Sequence, residues 1–178
     1  KIIGFDIDGP EDNLLPSLVA SEFDNLKKNG INITIHAGEG DGVNSIQDAL
    51  DNGAQRIGHG GRIIEDIDVS NNKLGKTAQY ILNEQVPLEI CITSNIHTNM
   101  YDEYSKHPIA DLINLEFTVS LNTDNRFMSN TSMDTEIDIA KNLGLNNVEY
   151  ILEKSARYSF LNHFCFLFTK YIINILLI

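Results

Sequence analysis

Cysteine, positive charge and long apolar runs near its start are scarce in this 178-residue chain. Two cysteines, Cys91 and Cys165, cannot build a disulfide framework, and they do not form a C-x-x-C metal or redox pair. A reduced, cytoplasmic setting is therefore expected. Thirteen lysines and arginines face 25 aspartates and glutamates, for a net charge of -12 and an isoelectric point near 4.6. Without a cationic surplus there is little to displace counterions from a phosphate backbone, so nucleic acid is not an expected partner. The same bias favours a small neutral substrate over one carrying several phosphates. The N-terminus meets Asp6 before an apolar h-region can form, so no signal peptide is read there. The abrupt start inside a strand-like run points to a missing upstream segment. Internal repeats and flexible linkers are absent as well.

What is present is an ordinary globular composition, 42% hydrophobic and 21% charged, enough for one domain with a real core. Residues 1–7 read as a buried strand ending in the loop Asp8-Gly9-Pro10-Glu11. Residues 16–29 carry a helical pattern through Leu18, Val19, Phe23 and Leu26, closed by Gly30. Further strands are expected at 31–36, 55–59, 86–92 and 117–122, and helices at 43–52, 73–84, 131–143 and 146–158. The stretch 93–107 reads as a loop, with a short helix opening at His107-Pro108. Five strands alternating with helices predict an α/β fold with a parallel sheet.

Side-chain parity sharpens this. Ile31, Ile33 and Ile35 share one face of their strand, and Asn32, Thr34 and His36 share the other. Phe117, Val119 and Leu121 oppose Thr118, Ser120, Asn122 and Asp124 in the same way. An apolar face toward helices and a crowded polar face suit the wall and interior of a barrel. After Leu161 the composition changes to an apolar tail, 162–178, which sets the domain bounds at 1–161. The tail is borderline against the roughly 20 apolar residues of a membrane span and holds Lys170 near its middle. A packed terminal helix, or sequence foreign to the domain, is expected rather than membrane insertion.

Chemistry-bearing side chains gather at the expected strand ends: His36 with Glu39, His59 in Gly58-His59-Gly60-Gly61, Ser94-Asn95, and Asp124-Asn125. In a parallel barrel the carboxyl ends of different strands converge on one mouth. Imidazoles and carboxylates meeting there suit a metal-dependent hydrolase, whose metal keeps one position for water. Taken singly, each residue has a blander reading. A strand-end histidine is a common hydrogen-bonder, Glu39 a solvated loop charge, Asp124 a turn or helix cap, and Asn125 an Asx-turn residue. Their joint occurrence, in order and at strand ends, favours chemistry.

The phrases His36-Ala37-Gly38-Glu39, Arg56-Ile57-Gly58-His59-Gly60, Glu89-Ile90-Cys91-Ile92-Thr93-Ser94-Asn95 and Ser120-Leu121-Asn122-Thr123-Asp124-Asn125 resemble successive motifs of the adenosine deaminase family. Gly4-Phe5-Asp6-Ile7-Asp8-Gly9-Pro10-Glu11 resembles that family's fourth barrel strand and its loop. The resemblance covers residues 1 to about 161. It implies a partial (β/α)8 TIM barrel of the amidohydrolase type, strands 4 to 8, binding zinc and hydrolysing adenosine to inosine and ammonia. It further implies that His36 and Asp124 are zinc ligands, and that Glu39 protonates purine N1. His59 would orient the attacking water and help take its proton, Gly9 would offer its N–H to purine N3, and Asn125 would face N7. Charge building in the ring calls for a protonated acid at N1, which burial of Glu39 against an apolar wall would supply. Gly9, without a side chain, admits the ring close to the backbone.

The chain also departs from that pattern. Asn125 stands where family members carry a second aspartate, and an amide donates without first holding a proton. The family's His-x-His pair, the source of two further ligands, is missing together with the first three strand–helix units. Weak or absent activity is expected of this chain alone, and its two open sheet edges should favour self-association. Deamination of adenine or another 6-aminopurine, and a non-catalytic purine-binding barrel fragment, are the alternative readings.

Overall fold

Side-chain parity, read off the register between strands, organises the architecture. The computed structural model describes residues 2–160; Lys1 and residues 161–178, which include the apolar tail, lie outside the described residues. The strands are β1 (Gly4–Ile7), β2 (Asn32–Ala37), β3 (Arg56–His59), β4 (Ile67–Asp68), β5 (Lys73–Leu74), β6 (Leu88–Ile90) and β7 (Val119–Leu121). Five of them form one sheet in the order β1-β2-β3-β6-β7, parallel throughout, while β4 and β5 make a small antiparallel ribbon.

One continuous apolar row crosses the whole sheet: Ile7, Ile35, Ile57, Leu88 and Val119 stand side by side. Ile35, Ile57 and Leu88 are fully buried, and each such side chain contributes about 1.5–3 kcal/mol by leaving water. The opposite face carries Asp6, Thr34 and Arg56 in one row, and His36, Gly58, Glu89 and Ser120 in the next. Arg56 pairs two of this face's polar groups, as burial requires. Arg56 donates from Nε to Glu89 Oε1 at 3.0 Å and lies 3.2 Å from Thr34 Oγ1.

Eight helices accompany these strands among the described residues: α1 (Ala20–Lys28), α2 (Val43–Asp51), α3 (Lys76–Glu84), α4 (Ile92–His97), α5 (Ile109–Asn114), α6 (Arg126–Ser129), α7 (Met133–Asn142) and α8 (Val148–Arg157). Phe23, Ile46, Ala49, Ala78, Ile81, Ile109 and Leu112 turn their side chains into the core that covers the apolar face. Strand–helix alternation around a parallel sheet with a polar inner face matches part of a (β/α)8 barrel. None of the described helices is long and apolar enough to cross a membrane.

Four segments differ from the sequence expectation, the first being residues 1–7, read as a buried strand, whose Ile2, Ile3 and Phe5 are exposed. Residues 73–74 pair as β5, and the helix starts only after Gly75, whose extended backbone serves as its N-cap. A 3-10 turn at Pro16–Val19 precedes α1. Residues 92–97, expected to end a strand and begin a loop, form α4, with Ile92, Thr93, Ser94 and Asn95 all buried. The polar composition of α4 suggests solvent, but Ser94 and Asn95 find side-chain partners inside the protein, while the Thr93 hydroxyl is buried without one among the described residues.

Candidate active site

His36 belongs to the polar face of β2, and Gly38, at φ 75°, reverses the chain just beyond it. A side chain at Gly38 would both strain that backbone and collide with Ile46. The reversal brings Glu39 Oε2 to 3.4 Å from His36 Nε2. His59 arrives by a different device. Register pairs it with Ala37, on the helix-facing side of the sheet, yet its φ of 64° is left-handed. Its ring consequently packs on that of His36, with centroids 4.5 Å apart. Asp124 shares the device, with φ 53°. Such backbone in residues other than glycine is uncommon, and it concentrates where function constrains the chain.

Two loops are tied together by a buried carboxylate. Glu11 accepts the backbone N–H groups of Gly38 and Glu39 at 2.8 Å, Gly40 at 3.0 Å and Asp41 at 3.2 Å. Its Oε1 also lies 3.2 Å from His36 Nε2. Burial alone would raise the Glu11 carboxyl, but His36 and these N–H groups hold it at about 2. Burial would likewise lower His36, whereas Glu11 and Glu39 raise it to about 10. For Glu39, burial pushes upward, and hydrogen bonds from His36 and from the Thr98 hydroxyl, at 3.0 Å, bring it below the ordinary carboxylate value. That is opposite to the direction expected from burial alone. Burial keeps His59 below the usual imidazole range.

Helix α4 supplies the remaining partners. Ser94 donates to Asp124 Oδ2 at 2.6 Å, and Asn95 Nδ2 reaches Glu39 Oε1 at 3.3 Å and His59 Nδ1 at 2.9 Å. Gly9, His36, Glu39 and Asp124 line one cavity of about 300 Å³. His59 and Asp124 line a second, of about 190 Å³, and Asp8 and Asp124 belong to both. Gly9 has φ 145°, with open space where a side chain would stand, so conformation rather than crowding calls for glycine there. Asn125 is set apart from this group: its Oδ1 accepts the Met128 N–H at 3.1 Å and caps α6.

Ligand atoms of His36, Glu39 and His59 lie within 4.8 Å of one another. Two imidazoles and a carboxylate are ordinary donors to zinc, so by donor type the cluster suits a divalent cation of that kind, although Asn95 already occupies His59 Nδ1. Asp124 is not in this compact group, although it shares a cavity wall with His36 and Glu39. The proton that Glu11 and Glu39 stabilise on His36 would have to leave when a metal binds that nitrogen.

The family model described as adenosine deaminase matches residues 1–163. The chain belongs to the adenosine deaminase family. Adenosine deaminase 1 of Streptomyces coelicolor is 45% identical to it over 141 residues, covering 77% of this chain and 36% of that protein. Among solved structures, the adenine deaminase of Arthrobacter aurescens superposes with a TM-score of 0.84 at 25% identity, over 96% of this chain and 52% of that one. The N6-methyl-AMP deaminase of Arabidopsis thaliana does so with a TM-score of 0.79 at 26% identity, over 97% and 49%. This member of the adenosine deaminase family therefore spans about half of the solved relatives, and less of the curated one. Around its deaminase motifs, sequence reasoning passed over Glu11, Thr98 and His107. Glu11 follows Gly9 by two residues, but nothing local announces that its loop lies on loop 38–41.

Proposed function

We propose that this chain carries the proton-handling groups and part of the zinc site of a cytoplasmic enzyme that hydrolyses adenosine to inosine and ammonia. The convergence of His36, Glu39 and His59 within 4.8 Å, beside a cavity also walled by Asp124, supports this reading best. In the reaction, the oxygen of water adds to purine C6 while N1 takes a proton. The bond from C6 to the amino nitrogen then breaks, and that nitrogen, taking up a proton given up by the added water, leaves as ammonia. Glu39 gives the proton to N1. A purine ring entering beside it would exchange water for apolar surface and raise its carboxyl toward the protonated form this role requires.

His36 and Asp124 would hold zinc, with His59 beside it. When bound, the metal would lower the pKa of water toward neutrality. The neutral ring of His59 orients the attacking water. Gly9 presents its backbone N–H to N3. The Asn125 amide nitrogen, which takes no part in the helix cap, faces N7.

The substrate is a small purine, and the acidic balance of the chain disfavours nucleic acid. The adenine and N6-methyl-AMP deaminases among its structural relatives favour one further reading, another 6-aminopurine in place of adenosine. Turnover by the chain alone is expected to be weak, because the His-x-His pair that the family resemblance calls for does not occur in it. The test measures zinc content and the ultraviolet change from adenosine to inosine in wild type, His36→Ala and Glu39→Gln. Zinc uptake abolished by His36→Ala, with residual turnover abolished by Glu39→Gln, is the expected result. Zinc uptake indifferent to His36→Ala would remove that residue from the metal site.

A further inference from the structure

Asn95 on α4 stands between two buried histidines, and the hydrogen bond at the far end of this chain decides where the proton sits at the near end. Ile109 donates its backbone N–H to His107 Nδ1 at 3.2 Å. That nitrogen is therefore a lone pair, and the neutral His107 ring carries its proton on Nε2. Nε2 lies 3.1 Å from Asn95 Oδ1 and donates to it. The other end of the amide is then the donor, 3.3 Å from Glu39 Oε1 and 2.9 Å from His59 Nδ1.

Turning the amide over would press its oxygen against the Glu39 carboxylate and its N–H groups against the His107 N–H. Two like contacts would arise in a cluster where Asn95 is fully buried and both histidines are 5% exposed, and burial makes unpaired polar groups costly. A proton on His59 Nδ1 would likewise set two donors against each other at 2.9 Å; Glu39 Oε1, 3.4 Å from that nitrogen, already accepts from the same Asn95 amide. No described residue hydrogen-bonds His59 Nε2, and His59 lines the cavity that contains Asp124.

We propose that His107 and Asn95 are positioning residues that hold neutral His59 with its proton on Nε2 and its lone pair on Nδ1. His59 consequently meets the reacting oxygen as a hydrogen-bond donor. It holds and polarises the water, and has no lone pair at Nε2 with which to strip a proton from it. This consequence rests on the deaminase reading; the placement of the proton does not.

Nitrogen-15 NMR of the histidine rings in the full chain, at a pH well above the ordinary imidazole range, distinguishes N–H from lone-pair nitrogens. Wild-type His59 and His107 are both expected to show Nε2–H and a lone pair on Nδ1. Asn95→Asp, similar in shape but without the amide donor, is expected to draw the His59 proton to Nδ1. His107→Leu should move the His59 nitrogens toward the average of the two forms, whereas His107→Gln, still able to donate to Asn95 Oδ1, should leave them in place. A wild-type His59 protonated on Nδ1 would overturn the proposal. So would His59 signals unmoved in Asn95→Asp, a variant whose folding is checked by circular dichroism. Turnover enters none of these readings, so a chain without deaminase activity would sink the proposed function and leave the proton placement to stand or fall by its own spectra.

Discussion

Four consecutive backbone N–H groups, from Gly38 to Asp41, converge on the single carboxylate of Glu11. Glu11→Ala would strand them in a partly buried loop, and losing bonds to a charged acceptor costs about 1.5–3 kcal/mol. A fall of that size in unfolding free energy by urea titration is expected, with Glu11→Gln intermediate; an unchanged midpoint would mean that loop 38–41 holds itself. His107 gives a pH signature. Burial lowers it from 6.5 to about 4, and its Nδ1 lone pair is already occupied by the Ile109 N–H. Because the folded value is depressed, its contribution is full above pH 6.5 and is lost as pH falls toward 4, by about 3 kcal/mol at 1.36 kcal/mol per unit. His107→Gln should flatten urea stability across that window, and an unaltered slope would reject the assignment. At this scale His36, Glu39, His59 and Asp124 were legible in the sequence as residues at strand ends. Glu11 was not, because its role depends on two loops, 27 to 30 residues apart, meeting in space.

At the scale of elements, strict alternation made the strands readable, since one period-2 pattern serves both the helix-covered and the polar face. Alternation also assigns His59 to the wrong face: it sits in register with Ala37, and only its left-handed backbone carries the ring inward. The β4–β5 ribbon was illegible because two-residue strands have no period to detect, and α4 because Ser94 and Asn95 are buried against site partners. A glycine sets the approach of β2 and β3. A Cβ on Gly58 would lie 3.2 Å from His36 Cα, backbone that cannot swing aside as a side chain can. Gly58→Ala is expected to force the strands apart at the residue that bears the metal-type imidazole, costing about 1–3 kcal/mol and weakening zinc uptake. Urea titration and zinc titration of the same variant check this. Full stability with full zinc uptake would show that the sheet absorbs the methyl group.

At the scale of the molecule, parallel strands end in two edges, β1 and β7, and an unprotected edge is a template for pairing. The β1 edge is the more apolar: Ile2, Ile3 and Phe5 are 73%, 44% and 49% exposed, and the nearby loop and turn add Leu14 at 55% and Leu18 at 68%. Against association stands a net charge of -12, which acts at long range in dilute salt and is screened within about 10 Å at 0.1 M. Apolar edge contact is short-ranged and is not screened, so salt should shift the balance toward assembly. Sedimentation velocity over a concentration series is expected to show self-association that grows with ionic strength. Ile3→Lys with Phe5→Lys should reduce it by placing like charges on both partners of a β1–β1 contact. Assembly that weakened with salt would identify an electrostatic contact instead, and assembly unaffected by the paired substitution would move the interface away from β1.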